Sequence, residues 1–246
     1  MRDKASGRLL GVVSLLAPIL TTIACGGSGG SQDPEVPAES AGEAVRILPL
    51  GDSITEGIDA RSSYRYWLDR GLREAGVELD FVGSLRGPVG GADGNAFDAD
   101  HEGHWGWRAD EVAARLDSWL AAAEADVVLL HLGHNDLGAG EAPSEVAAEV
   151  AELVARIRDS PSRPHVLVAE VIPVSVPALA AGIGELNEAL AARVEAIADP
   201  GVRLVDLATG FDAGRRTADG IHPNEEGARW MAERWLAALL DVLDPM

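Results

Sequence analysis

The sequence predicts an α/β fold, a single three-layer α/β/α domain in which helices cover both faces of a five-stranded parallel sheet. Short apolar runs rich in Val, Ile and Leu alternate along the chain with longer stretches of helical periodicity. The runs are brief and almost wholly apolar, as strands buried on both faces are. No repeat or second compositional regime interrupts residues 44–246, a length that suits one well-buried domain.

The first strand is expected at 45–50, where Ile47, Leu48 and Leu50 run into Gly51. A helix follows at 62–75, and a strand at 78–83 with Leu79, Phe81 and Val82. Residues 84–107 carry neither pattern and read as a long loop. A helix is expected at 108–123, with Asp110 and Glu111 in its first turn, where the helix dipole favours acidic side chains. The third strand is 127–132, and Pro143-Ser144-Glu145 signals the helix at 144–159. Strands at 165–172 and 202–207 flank a helix at 183–198. A last helix at 224–241 carries Trp230 and Trp235 as core residues. Strands that alternate with helices make a parallel sheet, and ligands then bind beyond the C-terminal ends of its strands.

Residues able to do chemistry converge on that edge. Ser53 follows the first strand in Gly51-Asp52-Ser53-Ile54-Thr55, and Asn135 follows the third in Leu132-Gly133-His134-Asn135-Asp136. Asp219 and His222 lie in the loop before the last helix. Read locally, Gly-Asp-Ser is equally a turn or a helix N-cap. The distant Asp219-Gly220-Ile221-His222-Pro223-Asn224 changes that reading. A serine hydroxyl is a weak nucleophile until a base takes its proton, and the base needs a group that orients its ring.

With His101-Glu102-Gly103-His104-Trp105-Gly106-Trp107-Arg108, these segments form four blocks in order. On them the chain resembles the SGNH (GDSL-type) hydrolase superfamily, and within it the acetyl-xylan esterases of carbohydrate esterase family three, over residues 45–240. The resemblance implies a flavodoxin-like SGNH hydrolase fold and a Ser53-His222-Asp219 triad. It also implies an oxyanion hole made by the N–H groups of Ser53 and Gly106 and the side-chain amide of Asn135. Of the two glycines in the second block, Gly103 and Gly106, the latter is preferred because it directly precedes Trp107-Arg108 and the helix. His134 departs from the small residue more often found before the Asn, which alters the local pocket shape. It joins Trp105 and Trp107 as a candidate substrate contact. No cofactor and no metal are implied.

The activity implied is that of a serine esterase removing acetyl groups from a polysaccharide, its substrate an acetylated polymer or a small ester. Two other readings stay open: lipase-like, lysophospholipase or thioesterase activity on longer acyl chains, and a non-catalytic carbohydrate-binding surface lipoprotein. Trp105 and Trp107 could stack a sugar ring or simply pack the loop. His101 and His104, with Asp93, Asp98 and Asp100, could ligate calcium; hydrogen bonds that order the loop are the preferred reading. Arg108 is expected in an ion pair.

At the N-terminus Arg2, Lys4 and Arg8 precede the apolar run Leu9 to Ile23, which is too short to span a bilayer comfortably. Residues 1–24 read as a signal peptide of lipoprotein type, with Ala24 before the single cysteine, Cys25, as the lipidation site. The protein is then exported, as a bacterial cell-envelope lipoprotein joined to the membrane through a lipid on Cys25, or else secreted. The Gly, Ser, Pro and Glu of 25–43 form a flexible tether. Removing residues 1–24 takes away three basic residues and one acidic residue, so the net charge moves from −20 to −22. That balance argues against nucleic acid as a partner.

Overall fold

The computed structural model describes residues 44–88 and 97–243. The expected signal segment 1–24 and tether 25–43, with Cys25, and Asp93 of the loop lie outside the described residues. Among the described residues, seven strands run in chain order as β1 (Val45–Gly51), β2 (Leu79–Phe81), β3 (Leu85–Arg86), β4 (Asp100–Gly103), β5 (Val127–His131), β6 (His165–Ala169) and β7 (Val202–Val205). The helices are α1 (Ser53–Glu56), α2 (Tyr64–Glu74), α3 (Ala109–Ala113), α4 (Leu116–Ala123), α5 (His134–Ala139), α6 (Pro143–Asp159), α7 (Pro177–Ile197), α8 (Ala213–Arg216) and α9 (Glu225–Leu243).

The five expected strands are β1, β2, β5, β6 and β7, parallel in the order β2-β1-β5-β6-β7. This is the flavodoxin-like order, whose ligand crevice lies where the strand order reverses, between β1 and β5 here. The central strands β5 and β6 are apolar but for one terminal histidine each, because both faces are covered. Val128, Leu130, Val166 and Val168 point to one cluster with Val112, Leu116, Val146, Val150, Leu153 and Leu186 of α3, α4, α6 and α7. Val127, Leu129, Leu167 and Ala169 point to the other, with Tyr64, Leu68, Met231 and Trp235 of α2 and α9. Each fully buried large side chain of this kind contributes about 1.5–3 kcal/mol.

Three departures from the expected elements have physical causes. The 84–107 loop contains β3 and β4: Leu50 and Gly51 of β1 extend past β2, and Glu102 and Gly103 pair with that free edge. The helix expected at 108–123 breaks into α3 and α4 at a tightened turn, Arg115 N–H to Val112 O at 3.0 Å, where Arg156 Nη1 also donates to the Ala113 carbonyl at 2.8 Å. The helix expected at 183–198 begins earlier, at Pro177, a residue favoured at the first helical position.

Buried Arg65 of α2 ties the second block to the first. Its guanidinium donates to the carbonyls of Thr55 at 2.9 Å, Glu56 at 2.9 Å, Ala99 at 2.8 Å and Gly87. Burial lowers it to about 10. The chain leaving α1 and the chain entering β4 are thereby held together at the sheet edge.

Candidate functional site

Ser53 opens α1 directly after β1, with Asp52 as its N-cap accepting the Ile54 N–H at 2.9 Å. The turn is tight because Gly51 has no side chain: a Cβ there would lie 2.3 Å from Thr55 Oγ1 and 2.5 Å from the His131 carbonyl. His222 reaches the same point from the segment before α9, whose start is bound to the α8 end by Asn224 N–H to Arg216 O at 2.9 Å. Ser53 Oγ lies 2.9 Å from His222 Nε2, and His222 Nδ1 lies 2.7 Å from Asp219 Oδ2. Asp219 Oδ1 accepts the backbone N–H groups of Ile221 at 3.0 Å and His222 at 2.8 Å. Desolvation works to raise the Asp219 carboxyl, but these hydrogen bonds, led by that of the His222 ring, outweigh it and hold it at about 2. An ionised Asp219 fixes the imidazole proton on Nδ1 and leaves Nε2 free to accept from Ser53 O–H.

Asn135, second residue of α5, donates from Nδ2 to the Trp107 carbonyl at 2.9 Å and lies 3.4 Å from Asp52 Oδ2. The N–H groups of Ser53 and Gly106 have no acceptor among the described residues. The two glycines of the second block differ in kind. Gly106 needs to be glycine for its φ of +80°, with open space where a Cβ would sit. Gly103 is needed for packing: a Cβ would lie 2.6 Å from Glu56 N and 3.0 Å from Asp52 O.

The aromatic residues divide sharply. Trp105 is 56% exposed and stacks on the His222 ring, with centroids 4.7 Å apart. Trp107 packs the loop: its ring clusters with those of His104, at 4.2 Å, and Trp119, at 5.9 Å, and His104 Nε2 meets buried Glu102 at 2.7 Å. His134 requires a correction as a substrate contact. It is 4% exposed, and its Nε2 lies 2.9 Å from the Ile172 carbonyl. Burial of the ring lowers its pKa to about 4.

In the loop, Asp98 accepts the Phe81 N–H at 2.6 Å, Asp100 pairs with Arg86 at 3.3 Å and His101 Nδ1 accepts the Gly103 N–H at 3.0 Å. These are ordering hydrogen bonds. Among the described residues, the carboxylate cluster with atoms within 4.8 Å is Asp136, Glu141 and Glu149, and Arg108 already donates to Glu141 at 2.9 Å. Sequence reasoning missed Arg65, Glu102 and the second contact of Asp52. Arg65 and Glu102 carry no local signal, whereas Asp52 sits beside the candidate nucleophile.

A family model described as the GDSL-like lipase/acylhydrolase family matches residues 50–230. The chain belongs to this family of ester-hydrolysing enzymes. Among solved structures, the family 3 carbohydrate esterase of Clostridium thermocellum is similar at 33% identity and a TM-score of 0.71, covering 82% of this chain and 98% of that one. A family 3 carbohydrate esterase from Talaromyces cellulolyticus is similar at 28% identity and a TM-score of 0.71, covering 81% and 98%. An acetylxylan esterase of Xylanibacter ruminicola is 26% identical over 223 residues, 80% of this chain. A multidomain esterase of Ruminococcus flavefaciens is 25% identical over 220 residues, also 80% of this chain. The match spans 43% of the first of these two proteins and 28% of the second.

Proposed function

We propose that this GDSL-family esterase removes acetyl groups from a polysaccharide of the acetylated-xylan type. The observation that carries the reading is the unbroken series Ser53 Oγ to His222 Nε2 at 2.9 Å and His222 Nδ1 to Asp219 Oδ2 at 2.7 Å, at the C-terminal edge of the sheet. His222 takes the Ser53 proton as Ser53 Oγ attacks the acetyl carbonyl. The negative charge then forming on the carbonyl oxygen is met by the N–H groups of Ser53 and Gly106 and by Asn135 Nδ2. Collapse of this intermediate breaks the ester C–O bond, and His222 passes its proton to the departing sugar oxygen. A water, deprotonated by the same ring, then releases acetate from Ser53. Trp105, exposed beside His222, offers its ring to the sugar. The relatives named above support carbohydrate acetates over other esters.

The test is a chain-length series of p-nitrophenyl esters beside acetylated xylan, with Ser53→Ala as the blank. Each buried CH₂ is worth roughly 0.8 kcal/mol of transfer free energy, so a site made for acyl chains gains with length and an acetyl site loses by clash. The expected result is a kcat/KM that falls from acetate through butyrate to octanoate, with acetate released from the polymer. A rising series and no released acetate would transfer the protein to the acyl-chain reading.

Export as a lipoprotein rests on the basic residues 2–8, the apolar run and Ala24-Cys25. In a bacterial host the protein is expected to partition into detergent and to label with a fatty-acid analogue, and Cys25→Ser to do neither. Equal partitioning of both would refute the anchor.

A further inference from the structure

Asp52 has no part in the reaction described above, yet its side chain is among the most buried in the site, at 1% exposure. Capping α1 explains one of its oxygens, Oδ1, which accepts the Ile54 N–H at 2.9 Å. Ser, Thr or Asn would cap as well, without the cost of burying a carboxyl group. That cost is visible: burial pushes the Asp52 carboxyl up to about 7, against the lowering pull of the Ile54 N–H and with Asp136 nearby adding to the rise. The second oxygen is what distinguishes an Asp here, and it faces Asn135 Nδ2 at 3.4 Å.

A primary amide has one donor end and one acceptor end. The Trp107 carbonyl at 2.9 Å and Asp52 Oδ2 at 3.4 Å are both acceptors, so between them Asn135 can present only its NH₂ end. The two contacts are unequal. The first is an ordinary hydrogen bond, and the second is longer than the usual 2.7–3.2 Å for N–H···O. One amide hydrogen is therefore committed to Trp107 and the other is loosely held beside the residue that precedes Ser53.

We propose that Asp52 is a positioning residue for the oxyanion hole: its Oδ2 keeps the NH₂ end of Asn135 turned toward the start of α1 and yields the second amide hydrogen to the oxyanion formed at Ser53. The proposal rests on the roles given above to Ser53 and Asn135. Asp52→Asn preserves volume and cap but sets an NH₂ group against the Asn135 NH₂ group, and Asp52→Ser keeps the cap while removing the second acceptor.

The test is a double-mutant cycle in the full-length protein on p-nitrophenyl acetate, with melting curves for each variant. Loss of an oxyanion donor typically costs about 100–1,000-fold in turnover. Asp52→Asn and Asp52→Ser are expected to lower kcat by at least about tenfold with KM within about threefold. In an Asn135→Ala background, either change is expected to alter kcat by less than about threefold, because the residue it acts through is gone. A merely structural role would instead multiply the losses. If Asp52→Asn does not fold, Asp52→Ser carries the cycle. Wild-type kcat in the Asp52 variants, or fully multiplicative losses in the cycle, overturns the proposal alone. Wild-type kcat in Asn135→Ala overturns it together with the oxyanion reading.

Discussion

Gly106→Ala separates backbone conformation from packing. The added methyl meets nothing within 4 Å, so its cost is that of holding a non-glycine residue at φ +80°. That cost is about 1–2 kcal/mol. If the loop keeps its conformation, the domain loses that much stability, a drop of about 2–8 °C in Tm at 2–4 °C per kcal/mol for a chain of this size. If the loop relaxes, the 106 N–H is displaced and, on the mechanism proposed above, one oxyanion donor is lost, at about 100–1,000-fold in kcat. Relaxation is expected, because Gly106 is exposed and little packs against it.

The contrasting variant is Gly103→Ala. Its Cβ would lie 2.6 Å from Glu56 N and 3.0 Å from Asp52 O, backbone atoms of the segment that carries Ser53. Overpacking of this kind costs about 1–3 kcal/mol. Gly106→Ala should therefore lose kcat on p-nitrophenyl acetate with KM and Tm nearly unchanged, whereas Gly103→Ala should lose kcat and about 5 °C in Tm together. Initial rates and circular-dichroism melts measure both. Wild-type kcat in Gly106→Ala together with an unchanged Tm would refute the reasoning that this N–H meets the developing charge, whereas wild-type kcat with a lowered Tm would mean that the loop had kept its conformation.

Trp105→Ala should raise KM for acetylated xylan by about tenfold, the worth of one aromatic contact of about 1.4 kcal/mol, and leave KM for p-nitrophenyl acetate within about twofold. Equal changes on both substrates would confine Trp105 to packing on His222. Acid stability should depend on His131 and His134, which burial lowers to about 3 and about 4 from an ordinary 6.5. Their folded values lie below the unfolded one, so the stability they support is full above pH 6.5 and falls toward pH 4, by up to about 1.4 kcal/mol per pH unit for each. Asp52 and Glu170, both raised to about 7 chiefly by burial, act in the opposite sense. The informative measurement is thus the difference in melting temperature between wild type and His131→Leu from pH 7 to pH 4.5. An unchanged difference across that range would remove the buried histidine from the acid response.

Resemblance to a family in four motif blocks is what singled out Gly106 and the roles of Ser53, Asn135, Asp219 and His222; the sequence by itself determined the α/β class, the five parallel strands and the placing of Ser53 and Asn135 after two of them at one edge. These were legible because they follow from local composition: a strand buried on both faces must be apolar at nearly every position, and a loop after such a strand must open at the same end of the sheet. What sequence could not carry is whatever depends on partners far along the chain. Asp100–Gly103 has no strand pattern, and it pairs because β1 leaves an edge free beyond β2. Trp105 and Trp107 are equivalent in the sequence, yet one stacks on His222 and the other joins a ring cluster with His104 and Trp119. His134 sits in a site block but turns into the core, toward a carbonyl 38 residues away. Asp52 reads as a cap, and its second contact reaches Asn135 across 83 residues. Ser53 and His222 themselves are 169 residues apart, so the 2.9 Å between the start of α1 and the loop before α9 is something only the tertiary structure decides.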